Sequence, residues 1–281
     1  MIKTKSLYST RKFLFLLLCI LAAIFFFPIL LVLINSFKSG LYISTNPFAF
    51  PIGEMFVGFE NYLKGLKSSG FALAALRSVF ITVCSVFVIV ICTAMTAWYI
   101  TRRRSKGTKF LYYIFAFSMI VPFQMVMFTM TYVVNMINFD NIFGIILVYL
   151  GFGSGLSVFM FTGFVKSVPL EIEEAATIDG CSPIQTFFMV VLPMLKPTAI
   201  TVAILNAMWI WNDYLLPYLV LGSRHKTIPV AVQLAMQGAY GSTDYGGFMA
   251  MLVLAIIPII IFYICSQKYI IKGVISGAVK G

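Results

Sequence analysis

The side chains able to do chemistry are few, and their densest cluster lies in one stretch. Residues 171–197 read EIEEAATIDGCSPIQTFFMVVLPMLKP, and three of the chain's nine carboxylates, Glu171, Glu173 and Glu174, fall within four residues of it. Ionisable groups otherwise avoid the long apolar runs; Asp213 is the main exception, standing beside Trp209, Trp211 and Asn212. An enzyme embedded in a membrane needs His, Asp or Glu clustered at one depth, whereas the single histidine, His225, lies in a polar loop between Arg224 and Lys226. Five cysteines, Cys19, Cys84, Cys92, Cys181 and Cys265, are scattered without a CxxC pair and suit packing better than a metal or redox centre. No G-x-x-x-x-G-K-S/T run is present, so the chain has no phosphate-cradling loop of that kind with which to hydrolyse nucleotide.

The elements that must carry these residues are membrane helices. Only 10% of the chain is charged, 61% is hydrophobic and the mean hydropathy is +0.99, against about 25% charged residues in an ordinary soluble domain. Apolar runs recur at 13–34, 77–100, 109–137, 142–165, 198–221 and 246–267. Each approaches or exceeds the roughly 20 residues that cross a bilayer core of about 30 Å. Their apolarity is continuous, which excludes the alternating pattern of a barrel strand. The first run is longer than a signal-peptide core and leads into NSFKSG without a small-x-small cleavage site, so a retained helix is expected. The net charge of +11 comes in clusters: Lys3, Lys5, Arg11 and Lys12 before the first run, Arg102, Arg103, Arg104, Lys106 and Lys109 between the second and third, and Lys268, Lys272 and Lys280 after the last. These are alternate connections of a six-helix chain, all on one side of it, so the positive-inside rule puts both termini in the cytoplasm and removes any need for a nucleic-acid partner. The expected fold is an all-α membrane protein of six transmembrane helices in a single domain spanning 1–281, with membrane lipid around it.

Between the first two runs lies an outer segment with NPFAFP and FENYLKGLKSSG, the latter suited to a short interfacial helix. The fourth run is interrupted near its middle by GFGSG, and Gly151, Gly153 and Gly155 leave two readings open: close helix packing, or the wall of a pathway. Asp213 lies about 22 Å along the fifth run from Thr198, and it too has two readings, a helix-end carboxylate among belt aromatics or a group on a translocation path. The outer loop after that run, containing GSRHKTIPVAVQ, has an apolar middle suited to a short helix or a re-entrant segment.

Residues 168–195 lie on the cytoplasmic side of this topology. Pro169 suits a first helical turn, and Glu171, Glu173 and Glu174 suit its positive end. Asp179-Gly180 reads as the stop. Ser182-Pro183-Ile184-Gln185 then restarts a helix with a capping box, and Ile184, Phe187, Phe188 and Val191 make one apolar face before Pro193 ends it. A lipid-seeking surface helix carries Lys and Arg rather than acids, so a protein partner is the better expectation. Ala175 and Ala176 admit close approach, and Glu174 offers a carboxylate to a cation on that partner.

The segment resembles the EAA motif of ABC-transporter permease subunits: Glu174-Ala175-Ala176, Gly180 four residues on, and, nine residues later, Val190-Val191-Leu192-Pro193, with valine where isoleucine is usual. NSFK, GFENY, WNDYLLPYLVL, TIPVAVQ and the tail KGVISGAVKG are similar to the carbohydrate-uptake, maltose-type (MalG-like) branch, so the likeness spans nearly the whole chain. The resemblance implies one permease half of an ATP-driven importer in a bacterial inner (plasma) membrane. Its implied partners are a second permease subunit forming a heterodimer, two ATP-binding subunits and an extracellular sugar-binding protein. It implies that Glu174, Ala175, Ala176, Asp179 and Gly180 contact the ATPase, that Leu192 and Pro193 close the motif, and that the tail at Gly277, Lys280 and Gly281 reaches toward the ATPases. No cofactor is expected on this chain; ATP and Mg belong to the ATPase partners. The expected cargo is a sugar, an oligosaccharide first, and Asn206, Trp209, Trp211, Asn212 and Asp213 offer aromatic faces and hydrogen-bonding groups that equally serve packing. Cys181 replaces a common alanine, and GFGSG departs from the family's usual pattern in the fourth helix. An ion-coupled secondary carrier without an ATPase is the competing reading; it calls for interruptions in two symmetric halves, and GFGSG has no convincing mate.

Overall fold

The structure is a computed structural model describing residues 2–236 and 243–278. Its regular elements among these residues are helices joined by short links, with an isolated bridge between Lys38 and Phe56. Four helices are long and apolar enough to cross a membrane, and two further pairs, each sharply bent, bring the number to six if each pair is one span. The fold divides into two compact units, residues 1–71 with 231–257, and residues 72–230 with 258–281.

The first unit contains α1 (Ile2–Asn35), α2 (Gly40–Thr45), a short 3-10 turn (Gly53–Met55), α3 (Glu60–Ser69), the end of α13 (Ile228–Ala235) and the first part of α14 (Tyr245–Ala278). The α3 segment is the short helix expected from FENYLKGL, and Gly70 ends it at φ +65°. A polar knot ties the loop after α1. Lys38, fully buried, donates from Nζ to Asn46 O (2.9 Å) and Pro47 O (3.1 Å), and Asn61 Nδ2 donates to Ser36 O (2.9 Å) and Lys38 O (2.7 Å). Burial pushes the Lys38 pKa down. Phe37 packs among the rings of Phe56, Phe59 and Tyr62. In contrast, only 6% of the apolar window in Arg11–Asn35 is buried, so this helix needs lipid or another chain to cover it.

The second unit is built on α7 (Ile142–Val165), the most buried of the long helices. Around it stand α4 (Phe71–Arg102), α5 (Lys106–Ser118), α6 (Phe123–Met136), α8 (Leu170–Ile178), α9 (Pro183–Thr186), a π turn (Phe187–Val191), α10 (Leu192–Met194), α11 (Lys196–Asn212) and α12 (Leu215–Leu221). Its core includes Ile89, Tyr149, Phe161, Phe187, Leu195 and Leu216, all essentially inaccessible.

Four departures from the sequence expectation have local causes. The run 109–137 is not one helix: α5 and α6 meet at 107° across a break at Pro122. Proline lacks the N–H that would continue the ladder and forces the residue before it into extended backbone. The run 198–221 divides at Asp213, whose ψ of 120° is extended. In an unbroken helix the Pro217 ring would strike the carbonyl four residues back, which is that of Asp213. The same offset operates at Pro193, but there the chain widens instead of stopping: the Leu192 N–H reaches Phe187 O, five residues back, and the helix continues to Met194. Finally, GFGSG does not interrupt α7, which is continuous from Ile142 to Val165.

Candidate functional site

The α8 helix and its restart are fixed by caps that the sequence carries. Pro169 sits just before the helix with extended ψ 136°, and Glu171 and Glu173 occupy the first turn. Gly180 takes φ +88°. The Gly180 and Cys181 amides then close on Thr177 O (3.1 Å) and Ala176 O (3.0 Å), a Schellman termination in which the left-handed residue must be near-free of steric cost. Ser182 and Gln185 form the capping box, with Ser182 N donating to Gln185 Oε1 (2.8 Å). The result is a rigid helix–turn–helix.

Its faces separate cleanly. Ala176, Thr186, Phe187 and Val191 are buried, as is Leu195 just beyond, whereas Glu174, Ala175, Asp179 and Gly180 are exposed together. Ile178, 85% exposed, stands among them, an apolar side chain in need of a cover. Leu192 is half-buried and Pro193 exposed at the far end. The apolar stripe divides: Phe187 packs on the Trp98 ring at 5.6 Å, and Phe188 and Ile184 stay on the surface.

Glu173 differs from the helix-start charge expected of it. Its carboxylate is buried, with Oε1 accepting from Arg102 Nε (2.9 Å) and Nη2 (2.6 Å) and Oε2 from Trp98 Nε1 (2.9 Å). Arg102 Nη2 also donates to Val168 O (2.8 Å). The available signal was the i, i+4 spacing of Trp98 and Arg102 at the basic end of α4, which puts both on one face.

The residues proposed for a pathway do not form one site, although Gly153 meets Asn206, and Trp209 and Asp213 both meet Tyr149. Asn206 is buried against α7, its Nδ2 donating to Ser157 Oγ (3.1 Å) and to Val202 O (2.9 Å). Gly153 makes room for it: a Cβ there would lie 2.7 Å from Asn206 Oδ1 and 2.8 Å from Ile89 Cδ1. Gly155 similarly admits α5, since a Cβ would lie 2.9 Å from Phe115 O. Gly151 has open space on its Cβ side. Asp213 bridges the break between α11 and α12: Oδ1 accepts from the Leu215 (3.0 Å) and Leu216 (3.3 Å) amides, and Oδ2 from Tyr149 Oη (3.1 Å). Trp209 stands edge-on to Tyr149 at 5.4 Å. Trp211 instead joins Val83, Phe87, Ala207 and Phe262 in lining an apolar groove of about 680 Å³, while Asn212 is exposed and bonds back to Met208 O (2.7 Å). Gly277 lies in the last turn of α14, and Lys280 and Gly281 lie outside the described residues.

Helices long and apolar enough to cross a membrane, with α5, α11 and α12 packed on α7, define a multi-pass membrane component that carries one exposed acidic helix–turn–helix. Residues 89–276 match the family described as binding-protein-dependent transport system inner membrane component, and the chain belongs to that family. It is 38% identical over 264 residues to the probable starch degradation products transport system permease protein AmyC of Thermoanaerobacterium thermosulfurigenes, covering 93% of this chain and 94% of the relative. Likewise it is 36% identical over 258 residues to the multiple sugar-binding transport system permease protein MsmG of Streptococcus mutans, covering 90% and 91%. With the melibiose/raffinose/stachyose import permease protein MelC of Bacillus subtilis it shares 30% identity over 287 residues, 99% of each chain. Among solved structures, a chain of a bacterial ABC transporter that imports the acidic polysaccharide alginate has the same fold, with a TM-score of 0.75 at 23% identity, covering 90% of this chain and 94% of that one.

Proposed function

We propose that this chain is one permease half of an ATP-driven importer of a sugar, an oligosaccharide first, in which α8 to α10 form the coupling element seated on a cytoplasmic ATPase. The carrying observation is the exposed cluster Glu174, Ala175, Ile178 and Asp179 on an element whose other face is anchored in the core by Phe187, Val191 and Leu195. An acidic, small-residue surface with one uncovered apolar side chain suits a partner that offers a cation and a shallow apolar cleft. The relatives named above support the sugar, and the family description supports an extracellular binding protein as partner.

In this reading six spans cross the bilayer with both termini in the cytoplasm, because the basic clusters around residues 3–12, 102–109 and 268–280 fall on one side. A second permease completes a heterodimer and covers apolar surface such as that of α1. Two ATP-binding subunits hold the ATP and Mg, and ATP-driven closure of those subunits pushes α8. The likeness of the sequence at Gly277, Lys280 and Gly281 supports a second contact with the same subunits. Gly151, the one glycine of GFGSG with open space, is the best placed of the three for a pathway wall. Asp213 serves as the cap of a broken span, since both its oxygens are engaged; that use argues against the ion-coupled carrier, which would need such a carboxylate for its ion.

The test is co-purification and uptake. The wild-type chain should bring down an ATPase and support ATP-dependent uptake of at least one of a maltodextrin, melibiose, raffinose and trehalose panel. Glu174→Lys should insert normally yet lose ATPase and uptake together. Normal uptake by Glu174→Lys and by Gly180→Val, with ATPase retained as in wild type, would overturn the coupling assignment.

A further inference from the structure

We propose that Arg102, Glu173 and Trp98 form the strut through which movement of α8 reaches the transmembrane helix α4. The inference rests on the coupling reading above and concerns where the push goes once an ATPase has moved α8.

One face of the end of α4 holds the link into the coupling element and both of its helical parts. Arg102 puts two N–H groups on Glu173 Oε1 (2.9 and 2.6 Å), and Trp98 puts its Nε1 on Oε2 (2.9 Å). The same guanidinium donates to Val168 O (2.8 Å) in the link between α7 and α8, and the Trp98 ring lies 5.6 Å from Phe187 in the π turn. Thus the link, the first coupling helix and the second are all tied to Trp98 and Arg102, one helical turn apart.

Physical chemistry makes these ties stiff. The Glu173 side chain is only 8% exposed and that of Arg102 22%. A carboxylate shared by three donors cannot slide along α4 without leaving a buried charge unpaired, which is far costlier than a small shift of the two helices together. Without the pair, the core anchors Phe187, Val191 and Leu195 would still hold the restart, but the first turn of α8 would have only the link from α7 to restrain it against α4. With it, α8 and the cytoplasmic end of α4 move as one body. Since α4 contributes Val79, Val83, Val86 and Phe87 to the apolar groove shared with α11 and α14, its displacement reshapes that groove. Adjacent residues thereby take opposite tasks: Glu174, exposed, receives the partner, and Glu173, buried, passes the motion inward.

The test uses the complete transporter, purified with its ATPases and reconstituted. In a background with the five cysteines replaced, spin labels at Tyr99 on α4 and Leu170 on α8 report their separation with and without ATP and vanadate. Wild type should keep one narrow separation throughout. In Glu173→Gln and Arg102→Lys the distribution should broaden on trapping. Sugar moved per ATP should fall on the order of tenfold, while bound ATPase is unchanged and hydrolysis stays within about twofold of wild type. Trp98→Phe keeps the ion pair, inserts stably and should lose about threefold, so the inference remains testable if the charge variants fail to assemble. A Glu173→Gln or Trp98→Phe complex with wild-type separation and wild-type sugar per ATP would overturn the strut alone. A wild-type chain that retains no ATPase would overturn the coupling reading and the strut with it.

Discussion

Replacing Gly153 and Gly151 with alanine in turn isolates how tightly α7 meets α11. At Gly153 the new Cβ would fall 2.7 Å from Asn206 Oδ1 and 2.8 Å from Ile89 Cδ1. Ile89 can rotate its terminal methyl away. The amide cannot turn without giving up bonds to Ser157 Oγ (3.1 Å) and Val202 O (2.9 Å), so the helices must part by a few tenths of an ångström. Overpacking of this kind costs about 1–3 kcal/mol. Both positions lie inside one continuous helix, so each variant gains the same intrinsic preference of alanine over glycine, about 1 kcal/mol. That term cancels in the comparison, because a Cβ at Gly151 meets nothing within 4 Å. Gly151→Ala should therefore be more stable than Gly153→Ala by about 1–3 kcal/mol, roughly a 5- to 150-fold difference in unfolding equilibrium. Reversible unfolding in mixed SDS micelles, followed by tryptophan fluorescence, reads this difference directly. Because α7 leads into the coupling element and α11 leads out of it, Gly153→Ala should also lower ATP-driven uptake, with Gly151→Ala close to wild type. Equal stability of the two variants would refute the tight seam.

Other substitutions probe the remaining elements. Gly180→Ala meets no atom within 4 Å but must adopt φ +88°, so about 1–2 kcal/mol of strain at the end of α8 should reduce ATPase retention without affecting membrane insertion, as pull-down and fractionation would show. Phe187→Ala empties a fully buried site beside Trp98 and should cost about 3–5 kcal/mol in the same unfolding assay. Asp213→Asn keeps an acceptor for the Leu215 and Leu216 amides and should stay near wild type, whereas Asp213→Leu removes the cap, at about 0.5–2 kcal/mol, and strands the Tyr149 hydroxyl, at about 1–3 kcal/mol more. Equal losses for the asparagine and leucine variants would show that charge, not capping, is what Asp213 supplies.

Much of the α8 to α10 helix–turn–helix was legible beforehand because its signals act over a few residues. The Asp179-Gly180 stop and the Ser182 to Gln185 box concern amides and carbonyls within one helical turn, and they appear where their spacing puts them. Prolines are local signals too, but less direct ones. The obstruction from Pro217 falls four residues upstream, so the break lies at Asp213 rather than at the proline, and Pro193 widens a helix instead of ending it. Pro28 and Pro258 sit inside helices with no break at all. GFGSG misled for the opposite reason: glycines weaken an isolated helix, but α7 is supported on several sides, and Gly153 and Gly155 are there to admit neighbours.

Sequence alone determined which segments are apolar enough to span a membrane and which segment folds as a capped helix–turn–helix, since both follow from continuous composition and short-range capping. It set Glu174 apart as the carboxylate for a partner but read Glu173 as no more than a helix-start charge. That Glu173 is a buried anchor follows only when Arg102 and Trp98, more than 70 residues away in the chain, are brought against it. The tertiary structure decided that, along with the use of Asn206 as a helix clasp and Asp213 as a cap. A buried polar group takes its meaning from the donors and acceptors that folding places within about 3 Å, and pairing at that distance is a property of meeting faces rather than of neighbouring letters.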